Sequence, residues 1–518
     1  MDATVKTAKQ QRMILIVIAL VSSLVMLDSN VVAVALPTIA VSLNADFADV
    51  QWVITAYVLP FAALLLAAGS FGDKAGRRRS AVIGMVLFGV SSLACGLAVT
   101  PLMLNLARAV QGVGASLLLT ASLAVINHTF SGAERARAYA FWGASLGVAI
   151  TCGPIIGGVI SSVFGWSWAF LINVPICAVL IFATLKVVPE SWDPDAKGLD
   201  FAGIFSFSAG LFLLTWAVID GNTLGWLAPA VLWRIFGGVV LLFVFVVVER
   251  RQVNPMVDFA MFRSANFGGA AAAMVGYAAG AQVMIFYLPL YLQNAYGFAP
   301  MTAGISMLPF ALPMFLVPRL GARLTWPSRS VLSLGLSITV VGNALMALLS
   351  GASASYPIFA VAMIVAGTGA GILNGETAKA LQSALPANRS GVASGIASTI
   401  RFTTLLFGVA ALGAVLVSSM FRVFDPIAQR MGLTEEAAID LARRFSAGDA
   451  GSALAHLPGS LRGEVGTALR TAFESGFAAA AWVAVGVAAI TLALTWLLMA
   501  GGAAVASSDP EALFVADE

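Results

Sequence analysis

Asp28 and Arg108 are the residues of this chain best placed to do chemistry, because each stands inside a long apolar run. Asp28 lies in Leu27-Asp-Ser-Asn-Val-Val-Ala-Val-Ala-Leu-Pro37, and Arg108 in Leu104-Asn-Leu-Ala-Arg-Ala-Val-Gln-Gly-Val-Gly-Ala-Ser116. A charge at membrane depth costs about 2.5–3.5 kcal/mol on insertion scales, so it is retained for function more often than by accident. Counted at about 1.5 Å per helical residue from Pro37 and Pro101, the two sit roughly 13 and 10 Å deep, a common level at which they can meet. An acid beside a guanidinium in a dry cavity can take up and release a proton. Desolvation disfavours the charged carboxylate, the cation favours it, and a change in either moves the balance. The structural readings are a hydrogen-bonding role for Asp28 and snorkelling of Arg108 to the interface.

Glu376, in Asn374-Gly-Glu-Thr-Ala-Lys379, is the best second carboxylate, and Arg401 the best second buried cation. If the helix carrying Glu376 runs on to Pro386, both lie about 15 Å from the inner ends of their helices. They form either a second pair or, for Glu376, a hydrated residue at the rim. Asn30 and Gln111 adjoin the first pair in sequence and are candidates for cargo contact. So are the aromatics Tyr57, Phe61, Phe141, Trp142, Phe286, Tyr287 and Tyr291, whose faces suit lipophilic or cationic compounds. Aromatics in membrane helices also serve as packing or as the interfacial belt.

The elements that position these residues follow from composition. The chain has 518 residues, 60% hydrophobic and 10% charged, so an all-α polytopic membrane protein is expected. Its apolar runs are continuous and not alternating, which excludes a barrel. Hydropathy predicts about fourteen spans, the first near 12–36, the last two near 393–420 and 474–500. Lys6, Lys9 and Arg12 precede the first run as in a signal peptide, but the run is too long and has no cleavage site. The loop Gly69-Ser-Phe-Gly-Asp-Lys-Ala-Gly-Arg-Arg-Arg79 fixes orientation, since short basic loops stay cytoplasmic. On that assignment Arg135, Arg137, Lys186, Lys197, Arg250, Arg251, Arg263, Arg319, Arg323, Arg329, Lys379 and Arg389 all fall inside, and short outer loops carry no Lys or Arg.

The organisation expected is a cytoplasmic N-terminus 1–11, a bundle 12–188, two inserted spans with their loops 189–265, a second bundle 266–500 and an acidic cytoplasmic tail 501–518. The outer loop 421–473 balances its arginines with acids, and Thr434-Glu-Glu reads as a capped helix start. It is either a hairpin of amphipathic helices on the outer surface or a solvated lid. Gly153-Pro-Ile-Ile-Gly-Gly158 lets helix backbones approach closely and bends its span, as plain packing or as the seal of a moving interface.

Together these stretches carry a resemblance. Gly69-x-x-x-Asp73-x-x-Gly76-Arg77-Arg78 resembles motif A of the major facilitator superfamily, Arg108-x-x-Gln111-Gly112-x-Gly114 its motif B, and Gly153-Pro154-x-x-Gly157-Gly158 its motif C, the mark of exporting antiporters. Leu27-Asp28 through Pro37, with Trp166-Ser-Trp-Ala-Phe-Leu-Ile-Asn-Val-Pro175, looks like the fourteen-span drug:proton antiporter branch. The resemblance implies the major facilitator fold: two six-helix bundles plus two inserted helices, rocking about a central cavity. It implies multidrug efflux of lipophilic or cationic small molecules, with Asp28 as proton carrier and a monomeric state. It also implies that motif A holds the bundles together at the inner face in the outward-open state.

There are departures. The branch pattern has Thr, Asn and Arg where Asn30, Ala33 and Ser167 stand, and Ala149 replaces the first small residue of motif C. The second-half counterpart of motif A, Pro318-Arg-Leu-Gly-Ala-Arg-Leu-Thr-Trp-Pro-Ser-Arg329, has no acid. These departures bear on the cargo and leave transport standing. An exporter of an endogenous lipid, metabolite or siderophore fits the same residues. An enzyme does not, since no phosphate loop or nucleophile–base signature is present. No cofactor and no metal are expected: Cys95, Cys152 and Cys177 lie in apolar runs, and His128 and His456 are far apart. Scattered basic residues exclude nucleic acid. The partners expected are a small-molecule substrate, protons and the bilayer, at a bacterial-type inner membrane.

Overall fold

The computed structural model describes residues 8–193, 200–252, 257, 259–321, 326–352, 354–384, 390–448, 454 and 457–499. Lys6, Lys197, Arg323, Arg389, His456 and the tail 501–518 lie outside the described residues. Fourteen helices are long and apolar enough to cross a bilayer. They are Lys9–Leu43, Phe47–Ala75, Arg77–Gly96, Pro101–Thr129, Arg137–Val163, Trp168–Val187 and Phe201–Gly221, followed by Pro229–Arg251, Ala265–Asn294, Pro300–Pro318, Ser328–Gly351, Tyr356–Ser383, Gly395–Arg430 and Gly459–Leu498. These are the first to fourteenth spans, and no strand occurs among the described residues. Below, the end bearing the loop Ala75–Arg77 is the basic side and the opposite end the far side.

Local chemistry sets the helix ends. Asp46 and Asp49 cap the second span reciprocally, the Asp46 carboxylate accepting from Asp49 N at 2.9 Å and the Asp49 carboxylate from Asp46 N at 3.3 Å. Thr100 Oγ1 accepts from Met103 N at 3.2 Å, and Pro101 opens the fourth span where its missing N–H is no loss. Several helices outrun the hydropathy signal. The first runs through Pro37 to Leu43, the thirteenth on to Arg430, and the fourteenth starts at Gly459, because helix continues past the apolar stretch into polar surroundings.

The bundles are assembled on glycines, and the two halves repeat one another. A Cβ on Gly112 of the fourth span would overlap the Tyr57 carbonyl of the second, just as one on Gly367 of the twelfth would overlap the Phe310 carbonyl of the tenth. Two residues on, a Cβ at Gly114 would stand 2.9 Å from the Gly84 carbonyl oxygen, and at Gly369 also 2.9 Å from that of Gly335. Such close backbone approach replaces the hydrophobic driving force that helices lack in lipid. The motif-B glycines thus have structural counterparts in Gly367-Thr-Gly369, a repeat the sequence reading did not pick out.

The seventh and eighth spans pair through Gly210 and Gly238 and through Phe207 against Phe245, whose ring centroids are 4.9 Å apart. At their far ends Arg234 Nη1 donates to Asp220 at 2.7 Å. The seventh span lies along the seam between the second and thirteenth, so the inserted pair flanks the junction of the bundles.

The glycine seams give a stability prediction. Gly112→Ala should destabilise the purified protein by about 1–3 kcal/mol by overpacking. Gly69→Ala, where a Cβ meets nothing within 4 Å, should be neutral or slightly stabilising. Thermal unfolding in detergent micelles checks the contrast.

Candidate functional site

Asp28 and Arg108 meet in the middle of the first bundle, with side chains 0% and 2% exposed. Arg108 Nη1 donates to Asp28 Oδ2 at 2.6 Å and to Gln111 Oε1 at 2.6 Å, while Nε donates to the Val53 carbonyl at 3.0 Å. The other carboxylate oxygen, Oδ1, accepts from Gln111 Nε2 at 3.0 Å and from Asn173 Nδ2 at 2.8 Å. Ser92 Oγ accepts from the same Gln111 nitrogen at 2.8 Å. The guanidinium lies 4.1 Å from the centroid of the Tyr57 ring. A buried ion pair is tolerable only when its remaining lone pairs and protons are satisfied, and here the neutral amides do that.

Asn173 and Ser92 are the residues sequence reasoning missed. Asn173 reaches Asp28 because the sixth span is broken: a short helix Trp168–Leu171 stops at Ile172, and a new one, Asn173–Val187, begins with Pro175 in its first turn. The visible signal was an asparagine at membrane depth two residues before a proline.

Tyr57 also lines a cavity of about 30 Å³ between the two bundles, room for a water or two. Asn30, Tyr57 and Phe61 line it from the first bundle, and Gln282, Phe286 and Phe402 from the second. Phe61 meets Phe402 edge-on with centroids 4.4 Å apart, which nearly closes the space. Asn30 Nδ2 donates to the Met26 carbonyl at 2.7 Å, while its buried Oδ1 has no partner among the described residues.

Other candidate residues are placed elsewhere. Gln111 is engaged with Asp28 and does not reach the cavity. Trp142 Nε1 donates to Ser22 Oγ at 2.9 Å, tying the fifth span to the first, and Phe141 is on the exposed face of its helix. Tyr287 donates to the Val409 carbonyl, and Tyr291 stacks among Phe359 and Phe477 inside the second bundle. Hydropathy gives the depth of an aromatic ring but not the side of the helix it occupies. Glu376 and Arg401 do not pair. Glu376 accepts from Ser328 Oγ at 2.6 Å and Lys379 Nζ at 3.1 Å, whereas Arg401 donates to Gln282 Oε1 at 2.8 Å and to the Tyr277 hydroxyl at 3.1 Å. Equal depth placed them at one level, but they face different neighbours.

The far side is sealed. Between the bundles, a Cβ on Gly158 of the fifth span would stand 2.6 Å from the Pro300 carbonyl oxygen of the tenth, while within the first bundle one on Gly157 would stand 2.6 Å from that of Val31. Gly153 abuts Asn30, and Gly304 abuts the Pro154 carbonyl. Gln51 Nε2 donates to the Val409 carbonyl at 3.2 Å and Gln293 Nε2 to the Val34 carbonyl at 3.1 Å, stitching the bundles together. The loop 421–473 holds one described helix, Glu435–Ala447, capped by Thr434 Oγ1 accepting from Ala437 N at 3.3 Å. It spans both bundles: Asn294 Nδ2 donates to the Phe445 carbonyl at 3.0 Å, and Arg444 donates to Asn44 Oδ1 at 3.3 Å. Nearby, burial pushes the Tyr296 phenol up to about 12, so it stays neutral while donating to the Ala354 carbonyl at 2.8 Å.

On the basic side, Arg77 Nη2 donates to Asp73 at 2.8 Å. Glu190, after the sixth span, accepts from Arg78 N at 3.0 Å and Arg79 N at 3.2 Å, occupying the N-terminus of the third span as an anion should. Gly76, at φ +110°, has no room for a Cβ, which would fall 2.7 Å from Glu190 Oε1. Glu190 was not singled out because it is distant in sequence. The counterpart around Arg319–Arg323 lies largely outside the described residues.

Two helical bundles, a small cavity between them and a buried charge pair near it are the features of a secondary transporter, a class whose site lies at the interface of its repeats. The Major Facilitator Superfamily model matches residues 18–409, and the chain belongs to that family. It is 32% identical over 431 residues to the multidrug resistance protein Stp of Mycobacterium tuberculosis, covering 82% of this chain and 79% of that one. It is 31% identical to the tetracenomycin C resistance and export protein of Streptomyces glaucescens, covering 93% and 90%. With the multidrug efflux pump LfrA of Mycolicibacterium smegmatis it shares 30%, covering 93% and 95%. Among solved structures, an inward-facing bacterial homologue of the lysosomal transporter Spinster superposes with a TM-score of 0.61 at 16% identity, covering 95% of this chain and 97% of that one.

The charge cluster makes its own prediction. Arg108→Leu leaves the Asp28 carboxylate buried without its cation and should destabilise the protein by about 3–5 kcal/mol. Asp28→Asn combined with Arg108→Leu should regain most of that loss, which denaturant unfolding of the two variants will test.

Proposed function

We propose that this protein exports lipophilic small molecules, in the manner of a multidrug efflux pump, by alternating access coupled to proton entry at Asp28. The observation that carries the reading is the buried Asp28–Arg108 contact of 2.6 Å, whose guanidinium lies against the ring of Tyr57, a residue that also lines the inter-bundle cavity. In the sealed form the carboxylate is fully satisfied and holds the cation. Opening the bundles admits water past Tyr57 and alters the separation of the pair, and the carboxyl then takes up a proton from the outer solution. Return to the form open on the basic side would restore the Arg108 contact and release the proton inward. Proton and cargo thus exclude one another in the same cycle.

On the positive-inside rule this reading takes the basic side as cytoplasmic, with both termini inside; a bacterial inner-membrane location and a monomeric carrier are part of the same proposal. One charge moving through about 150 mV supplies roughly 3.5 kcal/mol, enough for a gradient of a few hundredfold. The likeness to a tetracenomycin C resistance and export protein supports a second reading, in which this carrier exports one particular compound and not a range of drugs.

Asp28→Asn, which leaves Arg108 without its anion, should lower stability; the fraction that folds should still insert yet lose pH-driven efflux from proteoliposomes, and undiminished coupled efflux would remove Asp28 from the mechanism. Asp73→Ala, by freeing Arg77, should bias the carrier towards the form open on the basic side. Unchanged labelling of cysteines introduced along the basic-side pathway would contradict that.

A further inference from the structure

The charge inventory of the cavity region is unbalanced. In the first bundle Asp28 and Arg108 cancel. In the second, Arg401 of the thirteenth span meets only neutral partners, Gln282 Oε1 at 2.8 Å and the Tyr277 hydroxyl at 3.1 Å. No carboxylate among the described residues lies within ion-pair distance of it. Glu376, the acid at similar depth, is taken by Ser328 and Lys379. A cation held at membrane depth by neutral groups is an unusual feature and a mark of a binding function.

The backbone is shaped around that cation. The two partners of Arg401 bracket a wide π-turn, Ala278–Gln282, in the ninth span, with Tyr277 directly before it and Gln282 at its end. Such turns interrupt α-helices mostly at functional sites. Tyr277 is itself oriented, its hydroxyl donating to Asn374 Oδ1 at 2.9 Å. Gln282 and Phe402, both in contact with Arg401, line the inter-bundle cavity, so the guanidinium stands one side chain behind its wall. Across the cavity, Asn30 Oδ1 is buried without a donor. The cavity therefore has aromatic walls, a cation directly behind Gln282 and Phe402 on one bundle and an acceptor with no donor among the described residues on the other.

We propose that Arg401, presented by Gln282 and Tyr277, is a specificity-determining residue that receives an acidic group of the cargo. The cargo class is then an apolar, aromatic acid, with a carboxylate or phenolate directed to Arg401 and a hydroxyl or N–H donor directed to Asn30. This rests on the carrier reading and narrows it, since aromatic walls alone would equally have suited a lipophilic cation. It also fits the energetics: an anion leaving and a proton entering both move with an interior-negative potential, so each cycle draws on the potential twice.

The test uses three probes on one aromatic body: pyrenebutanoate, its methyl ester, and pyrenebutyl-trimethylammonium. Equilibrium binding to the purified full-length protein is corrected with protein-free micelles. The wild type should bind the butanoate about tenfold or more tighter than the ammonium, as a charge-assisted hydrogen bond to the anion provides. Arg401→Gln should lose that preference and keep its ester affinity, and Arg401→Lys should restore part of the preference. Equal affinity of the wild type for anion and cation overturns the inference whether or not the variants fold, as does a butanoate affinity unchanged in Arg401→Gln. In either case, ester binding and saturable ester export would show that the carrier reading itself survives. Failure of all three probes to bind overturns the inference along with that reading.

Discussion

An unscreened charge in a low-dielectric interior cannot be left alone, and the Asp28–Arg108 contact is how this protein meets that constraint. Both side chains are almost wholly removed from solvent, so neither can move without the other or without water to replace it. The surrounding structure is arranged to keep the pair satisfied at 2.6 Å. A helix break delivers Asn173, the fourth span delivers Gln111 from the turn after Arg108, and Tyr57 covers the guanidinium on the cavity side. On the proposed mechanism a carboxylate held this way switches between two environments when the bundles move, which would tie a proton to a conformation.

Movement in turn needs interfaces that part cleanly. Across the junction of the bundles the fifth span meets the tenth through Gly158 and Gly304, where backbone lies against backbone. Surfaces without interlocked side chains separate and rejoin with little rotamer rearrangement, whereas interdigitated cores resist such motion. The permanent seams within each half use glycine too, with Gly112, Gly114 and Gly367 lying against the backbone of Tyr57, Phe88 and Phe310. The helix Glu435–Ala447 adds a polar strap across the far side, touching the first span through Asn44 and the ninth through Asn294.

Much of this was legible in the sequence because membranes restrict what a chain can do. Apolar run length gave the number of spans, and helical rise placed Asp28 and Arg108 at one level, where the structure joins them. The same rise misled for Glu376 and Arg401, since depth along an axis says nothing about the direction a side chain takes around it. Tyr287 and Tyr291 show the same limit: their ring type fits a binding surface and a packed interior equally well. Long-range partners were invisible for another reason. Asn173, Ser92 and Glu190 act on residues far away in sequence, and no local pattern records such a contact. Span ends were drawn short where helices continue into polar surroundings, as at Arg430 and Gly459.

The central claim is that the Asp28 carboxyl changes its protonation as cargo arrives. Difference infrared spectroscopy of the purified protein, in the band of protonated carboxyl groups, measures this directly. The account predicts a band that grows as pH is lowered without cargo, is absent from Asp28→Asn, and shrinks when a transported compound is added. A band that persists in Asp28→Asn, or that ignores the cargo, would contradict it.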